Sequence, residues 1–203
     1  EKEYGSLAEL PRDHVDYGAL YLAIWPVLRK AYKRFKTSKK KQFQNYGSVA
    51  KFRKDQGHWL EDYALFISLK ENFGDKCWLD WPPEYSDAHR AKSQNISSDI
   101  KDTADAHVFF QYIFYSQLAK LRAYADSRSV EIMGDAPIFV ALDSSDVWAN
   151  SELFQLKKNG QPKAVAGVPP DYFAVNGQLW GNPLYDWSVH EKTGFAWWIQ
   201  RIK

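Results

Sequence analysis

The sequence predicts an α/β fold, and within that class an incomplete (β/α) barrel, from three observations. Long stretches carry apolar residues at helical spacing, one short β-branched run follows the longest of them, and no second run of the same kind stands ready to pair with it. A short apolar run after an amphipathic helix reads as a buried parallel strand, and such a strand needs neighbours. The simplest account of several helices with one parallel strand is part of a barrel whose other strands lie outside this polypeptide.

Each element follows from its local pattern. Tyr17 to Phe35 places Leu20, Ala23, Ile24, Val27 and Leu28 at helical spacing, with Tyr21 and Trp25 beside them, and Pro26 is expected to kink or divide the helix. His58 to Phe73 is a second helix, with Leu60, Ala64, Ile67 and Leu69 inward and Gly74 as its stop. WPPEYSDAHRAK breaks that pattern and opens a new short helix. Ile100 to Ala125 is the longest periodic run, its buried stripe formed by Val108, Phe109, Tyr112, Ile113, Leu118 and Leu121, with Ser98 or Asp99 as the cap. After the turn-like DSRS, the run VEIMGDAPIFV reads as the strand, with Gly134 and Asp135 at or just past its C-terminal end. A short helix around Ser144 to Ala149 precedes LFQLKKNGQPKAVAG, a hairpin in which Asn159-Gly160 supplies the positive φ angles of a tight turn. Trp187 or Ser188 opens a last helix, Val189 to Ile202.

Composition narrows the function. The 203 residues are 45% hydrophobic, enough to form a core, and 27 basic against 25 acidic side chains leave a formal charge of +2. No global field therefore points to nucleic acid or to a membrane surface. The basic run Arg29 to Lys41 reads as the C-terminal end of a helix followed by a solvated loop, favoured by the helix dipole, because no matching stripe lies elsewhere. No nucleic-acid or membrane partner is expected. The single cysteine, Cys77, excludes an intramolecular disulfide and suits a reducing, cytoplasmic compartment. The start EKEYGSLAEL lacks the apolar core of a signal peptide, and its lack of a methionine suggests an excised segment.

Aromatic usage carries the functional signal. Nine Trp, twelve Tyr and twelve Phe make up 16% of the chain, and some fall where no core-facing stripe runs. In AGVPPDYFAVNGQLWGNP, residues 166 to 183, prolines and glycines are expected to forbid a regular helix or strand, yet Tyr172, Phe173 and Trp180 sit there. A pyranose ring presents an apolar C–H face and a rim of equatorial hydroxyls, so a flat aromatic surface beside planar polar side chains suits it. The loop supplies the polar set as Asp171, Asn176, Gln178 and Asn182, and its prolines lower the entropy lost on ordering. The alternative is a compact Ω-loop whose rings pack on its own body. Asp135 likewise has two readings: a strand-end carboxylate facing a site, or an Asx turn capping the next segment.

Other chemistries fit less well. His14, His58, His89, His107 and His190 are too scattered for a helical metal pair, and neither HExxH nor CxxC occurs, so no metal or cofactor is expected. The glycines match no phosphate-binding or dinucleotide pattern, and no GxSxG accompanies the serines.

GDAPIFVALDSSDVWAN, AVAGVPPDYFAVNGQLWGNPLYDW and TGFAWWIQRI, with VDYGAL, HWLEDYALFISLKENFG and the WP of LDWPPE before them, resemble the 4-alpha-glucanotransferases called amylomaltases or disproportionating enzymes, over nearly the whole chain. The resemblance implies part of a (β/α)8 TIM barrel with helical insertions, related to the α-amylase clan. The insertion would occupy about residues 17–127, and the active-site aromatic loop residues 166–183. It implies transfer of α-1,4-glucan segments between malto-oligosaccharides through a covalent glycosyl-enzyme that retains configuration. By motif, Asp135 matches a sugar-site acid rather than the nucleophile. Asp171, Tyr172 and Phe173 match the loop over the active site, Trp180 and Asn182 the WGNP that shapes the cleft, and Tyr17 a more distant glucan contact. The family's nucleophile lies in an Arg-x-Asp-His-Phe-Arg-Gly motif that these 203 residues lack, with its acid/base glutamate later still. The chain alone is therefore expected to bind glucan without transferring it. A non-catalytic carbohydrate-binding module is the competing reading, and a helical interaction scaffold using the basic run is a third.

Overall fold

The computed structural model describes residues 7–38 and 47–202. The chain divides into two compact units, Glu1–Leu60 with Asp105–Val130, and Glu61–Ala104 with Glu131–Lys203. Each has its own cluster of buried side chains.

In the first unit, α1 spans Tyr17–Thr37, with the Asp16 carboxylate accepting from the Ala19 N–H at 2.9 Å as its N-cap. Pro26 lies inside the helix without ending it. Proline removes one backbone donor, and here packing outweighs that loss: Trp25, Leu28, Tyr32 and Phe35 form one stripe in the unit's cluster. Arg34 and Lys36 occupy the last turn, where the helix dipole favours cations, whereas Lys39, Lys40 and Lys41 lie outside the described residues. A short helix α2, Val49–Asp55, which the periodicity does not announce, is capped by Ser48 and packs Val49 and Phe52 on the same cluster.

Helix α3 spans Leu60–Asn72 and ends at Gly74 as expected. The Asp75 N–H reaches the Lys70 carbonyl and the Gly74 N–H the Glu71 carbonyl, with Gly74 at φ 68°, a Schellman stop. Beyond Leu60, Ala64 and Leu69, it is Phe66 and Ser68 that are buried, with Ile67 half-buried. A 3-10 turn at Trp78–Asp80 leads to α4, Ala88–Ser93, capped by Asp87. Helix α5 spans Ser98–Asp126, and its cap is Ser97, whose hydroxyl accepts from the Ile100 N–H, rather than Ser98 or Asp99. Val108, Phe109 and Tyr112 are buried as the stripe requires, but Leu121 is exposed. The rings of Phe52 and Trp59 meet this helix at Tyr115, short of Leu121.

The second unit is built on indoles. Trp78, Trp81 and Trp148 are buried with Phe66, Leu69, Leu153, Phe154 and Tyr185. Their N–H groups donate to the carbonyls of Leu142 at 2.8 Å, Lys76 at 3.0 Å and Tyr85 at 3.0 Å. A buried indole left without such an acceptor would destabilise the core, so each is both packed and satisfied. Lys70 and Asp143 form a part-buried ion pair at 2.5 Å, and the same ammonium donates to the carbonyls of Asp75 and Lys76. Helix α6, Ser145–Ala149, lies where the short helix was expected, and Ser144 is its N-cap.

Three expectations are corrected here. The run VEIMGDAPIFV forms no strand: Val130, Ile132, Met133 and Ile138 are exposed, and only at Val140 does the segment become buried. A strand is defined by its ladder partners, and the described residues offer this segment none. Conversely, residues 166 to 183 do contain strands. Val165–Val168 (β1) and Gln178–Pro183 (β2) form a two-stranded antiparallel sheet. Finally, the last helix is two, α7 at Trp187–Lys192 and α8 at Ala196–Ile202. Phe195 N–H to His190 O and Gly194 N–H to Glu191 O close α7 in a second Schellman stop, with both residues at positive φ. The Asn159-Gly160 turn is present, but only Gly160 has positive φ and a single Leu156–Pro162 bridge follows it instead of a ladder.

Candidate functional site

The hairpin β1–β2 is the element that displays the unusual aromatics. Its close approach depends on glycine: a Cβ on Gly167 would lie 2.7 Å from the Gln178 carbonyl oxygen, and one on Gly177, at φ 70°, would lie 2.5 Å from that of Val168. Neither position accepts a side chain without moving backbone. After Pro169 and Pro170, Asp171 Oδ1 accepts from the N–H groups of Phe173 at 2.9 Å and Ala174 at 2.7 Å. The Asp171 N–H bonds the Ala174 carbonyl, which also accepts from Gly177. Asp171 thus spends one carboxylate oxygen on ordering the turn.

That ordering leaves the neighbouring rings in solvent. Tyr172 is 94% exposed and Phe173 91%, and the two meet edge to face at 5.6 Å. The Ω-loop alternative, with rings packed on the loop's own body, is excluded by those values. Val175 and Leu179 are also exposed beside them, an apolar contribution the sequence reading missed because it treated the segment as irregular and did not count strand faces.

Strand β2 is bulged. Val165 pairs with Pro183 and Gly167 with Leu179, so two steps on β1 face four on β2, and Gly181 at φ 80° lies within the excess. Gln178, Leu179 and Trp180 are exposed in succession, while Asn182 is half-buried and Pro183 buried. Trp180, 46% exposed, donates its indole N–H to Gln178 Oε1 at 2.9 Å and rests edge-on against Phe139 at 5.9 Å. Asn182 donates its amide to the Val140 carbonyl at 2.9 Å.

Asp135 stands exposed on the irregular segment leading to Pro137. It makes no Asx turn and ends no strand. The segment is gripped just downstream, where the Tyr185 hydroxyl donates to the Ile138 carbonyl at 3.0 Å and Arg201 lies 3.5 Å from that of Pro137. Tyr185 is buried, and burial pushes its phenol above the usual range, with Arg201 opposing. Behind it His190 is fully buried among Tyr185, Trp187 and Trp197, and burial lowers its pKa, opposed by the Leu153 backbone and by Asp186. Tyr17, the first residue of α1, is exposed and belongs to the first unit. The structure therefore assembles Asp171, Tyr172, Phe173, Trp180 and Asn182 on one hairpin and ties the Asp135 segment to it, and leaves Tyr17 apart from that set in the chain's division.

An open cleft of about 600 Å³ also lies in the second unit, lined by Trp78, Pro83, Arg90, Trp148, Lys158 and Gly160, and neither Asp135 nor the hairpin residues Asp171, Tyr172, Phe173, Trp180 and Asn182 line it. Among the described residues no group of His, Cys, Asp and Glu side chains is placed to hold a metal, and no helix is long and apolar enough to cross a membrane. The hairpin offers flat apolar faces beside amide and carboxyl groups, a surface suited to binding a hydroxylated ring.

A family model described as 4-alpha-glucanotransferase matches residues 1–203. The 4-alpha-glucanotransferase of Thermus thermophilus is 43% identical over 193 residues, covering 95% of this chain and 38% of the relative. That of Clostridium butyricum is 40% identical over 204 residues, covering all of this chain and 40% of the relative. Among solved structures, the amylomaltase from Streptococcus agalactiae in complex with acarbose superposes with a TM-score of 0.79 at 37% identity, over 93% of this chain and 37% of that one. The chain thus spans about two-fifths of the length of the relatives it matches.

Proposed function

The chain belongs to the 4-alpha-glucanotransferase family, and from that premise we propose that it is the part of such an enzyme that holds α-1,4-glucan for transfer between malto-oligosaccharides. The observation that carries the proposal is the ordered, solvent-facing set Tyr172, Phe173 and Trp180 on the β1–β2 hairpin. Large apolar patches on a soluble surface mark interaction sites, and rings beside Gln178 and Asp171 match the two faces of a pyranose.

In this reading the glucan's C–H faces stack on the rings, while Gln178, the free oxygen of Asp171 and the exposed Asp135 carboxylate meet its hydroxyls. The transfer itself is a retaining double displacement, which needs one carboxylate as nucleophile and a second as acid and base. Both come from polypeptide beyond these 203 residues, whose sequence contains no Arg-x-Asp-His. The (β/α)8 barrel is completed by the same polypeptide, which would cover the exposed segment 130–138. A transferase must admit a sugar acceptor ahead of water, and a stiff aromatic hairpin over the cleft serves both binding and water exclusion.

Maltoheptaose titrated into the chain should change its tryptophan emission in a saturable way, and Trp180→Ala should abolish most of that change. No response in the parent chain would defeat the proposal. Maltotriose incubated with the chain should give neither glucose nor longer oligomers; their appearance would show that transfer needs nothing beyond these residues.

A further inference from the structure

Residues 137–140 are held by side chains where a strand would be held by a ladder. Tyr185 donates to the carbonyl of Ile138, Asn182 to that of Val140, and Arg201 approaches that of Pro137, itself placed by Asp146 at 3.7 Å and by stacking over Trp197. These donors come from β2, the turn after it and α8. Between the two shorter bonds, the Phe139 ring lies parallel to Tyr185, 6.2 Å apart with a 9° interplanar angle, and it also meets Trp180 edge to face. Tyr185 therefore grips both the backbone and the side chain of adjacent residues, while Asn182 ties the same stretch to the strand that carries Trp180. Asp135 lies two residues upstream of the first gripped carbonyl.

From this juxtaposition we infer that Tyr185 and Asn182 are positioning residues of the saccharide surface: they fix residues 138–140, and through them the orientation of the Trp180 indole and its alignment with Asp135. The inference rests on the glucan-binding reading for its consequence, but the grip itself is readable without sugar. It also reassigns Asn182. With its amide committed to Val140, its contribution to binding is made through the backbone it holds. Tyr185 is suited to the task because a buried phenol remains a neutral donor, and its ring adds packing that a shorter hydroxyl side chain lacks.

The test uses the 203-residue chain with ¹⁵N-labelled tryptophan, the Trp180 indole signal being assigned by Trp180→Phe. Tyr185→Phe keeps the ring and deletes the hydroxyl, and Asn182→Asp keeps the shape and deletes the donor. Each should shift the Trp180 indole signal, leave those of the buried Trp81 and Trp148 in place, and weaken maltoheptaose binding about fivefold, as loss of one hydrogen bond allows. Asp135→Asn should cost less affinity in the Tyr185→Phe background than in the parent, because a misaligned carboxylate has less to lose. Additive effects, or an unmoved Trp180 signal with unchanged affinity, would overturn the inference. If the Trp148 signal collapses in both variants, Phe139→Leu, which spares both hydrogen bonds, decides it by the same Trp180 shift. If the parent chain does not bind maltoheptaose, the functional reading falls and the indole shift alone judges the grip.

Discussion

The second unit carries two sets of aromatic side chains that differ in where their backbones run. Trp78 and Trp148 hang from helical turns and Trp81 directly follows one; all three lie buried with Phe66 and Leu153 and donate their indole N–H groups to backbone carbonyls. Tyr172, Phe173 and Trp180 hang from a bulged hairpin, face solvent, and the one indole among them donates to a side chain, Gln178. The same residue types thus perform opposite tasks. A ring whose polar atom is satisfied by the protein's own backbone stabilises the fold, whereas a ring left in water on an ordered turn is available to a ligand. Stability and binding should therefore separate cleanly between the sets.

The sharpest way to break that separation is truncation in the buried set. Trp148→Ala should cost about 3–5 kcal/mol in urea unfolding, since it opens a cavity and strands the Tyr85 carbonyl. A loss near zero would mean the unit is loosely packed. Gly177→Ala lies between the sets: its Cβ would meet the Val168 carbonyl at positive φ, and a cost of about 1–3 kcal/mol is expected from the strain. Because the strain falls on the turn that presents Tyr172, maltoheptaose binding should fail along with it, measurable by titration on the folded variant.

Smaller again is a pH effect from His190, which is fully buried beside Tyr185. Its folded pKa is below the ordinary histidine value because burial disfavours the cation. The unfolded chain therefore takes up the proton first as pH falls, so stability is intact above the ordinary value and declines from there down to the lowered one. The Leu153 backbone, and after it Asp186, partly counter this by favouring the cation. Urea midpoints measured between pH 7 and pH 5 should fall less in His190→Leu than in the parent, and parallel curves would remove His190 from the account. The smallest effect on stability belongs to the exposed set: Tyr172→Ala and Phe173→Ala should stay within about 0.5 kcal/mol of the parent, as surface changes do, while weakening maltoheptaose binding.

How far the sequence carried depends on whether an element finds its partners nearby in the chain. Gly74 stops its helix where the sequence places the stop, because stop and helix lie within a few residues, whereas the equally local caps Asp16, Asp87 and Ser144 were not singled out by apolar spacing. Leu121 was misplaced because periodicity shows a stripe but not how far a neighbour extends along it. Gly194 and Phe195 divided a helix that apolar spacing alone ran together. Of the site, the residues were legible as an excess of rings in a proline-rich stretch, but their presentation was not. The β1–β2 register, its bulge at Gly181 and the exposure of Leu179 arise from cross-strand pairing that the glycines permit and no local pattern dictates.

By itself, then, the sequence determined the three long helices, the Gly74 stop, the family motifs and the rings set aside for a ligand, since those follow from contacts within a turn or two. Tertiary structure alone decided that the proline- and glycine-rich stretch pairs into a hairpin, that Tyr185 and Asn182 grip residues 138–140, and that Val130–Ile138 stays unpaired. The physical reason is that a helix satisfies its own backbone, while an extended segment must borrow its hydrogen bonds from whatever the rest of the polypeptide brings beside it.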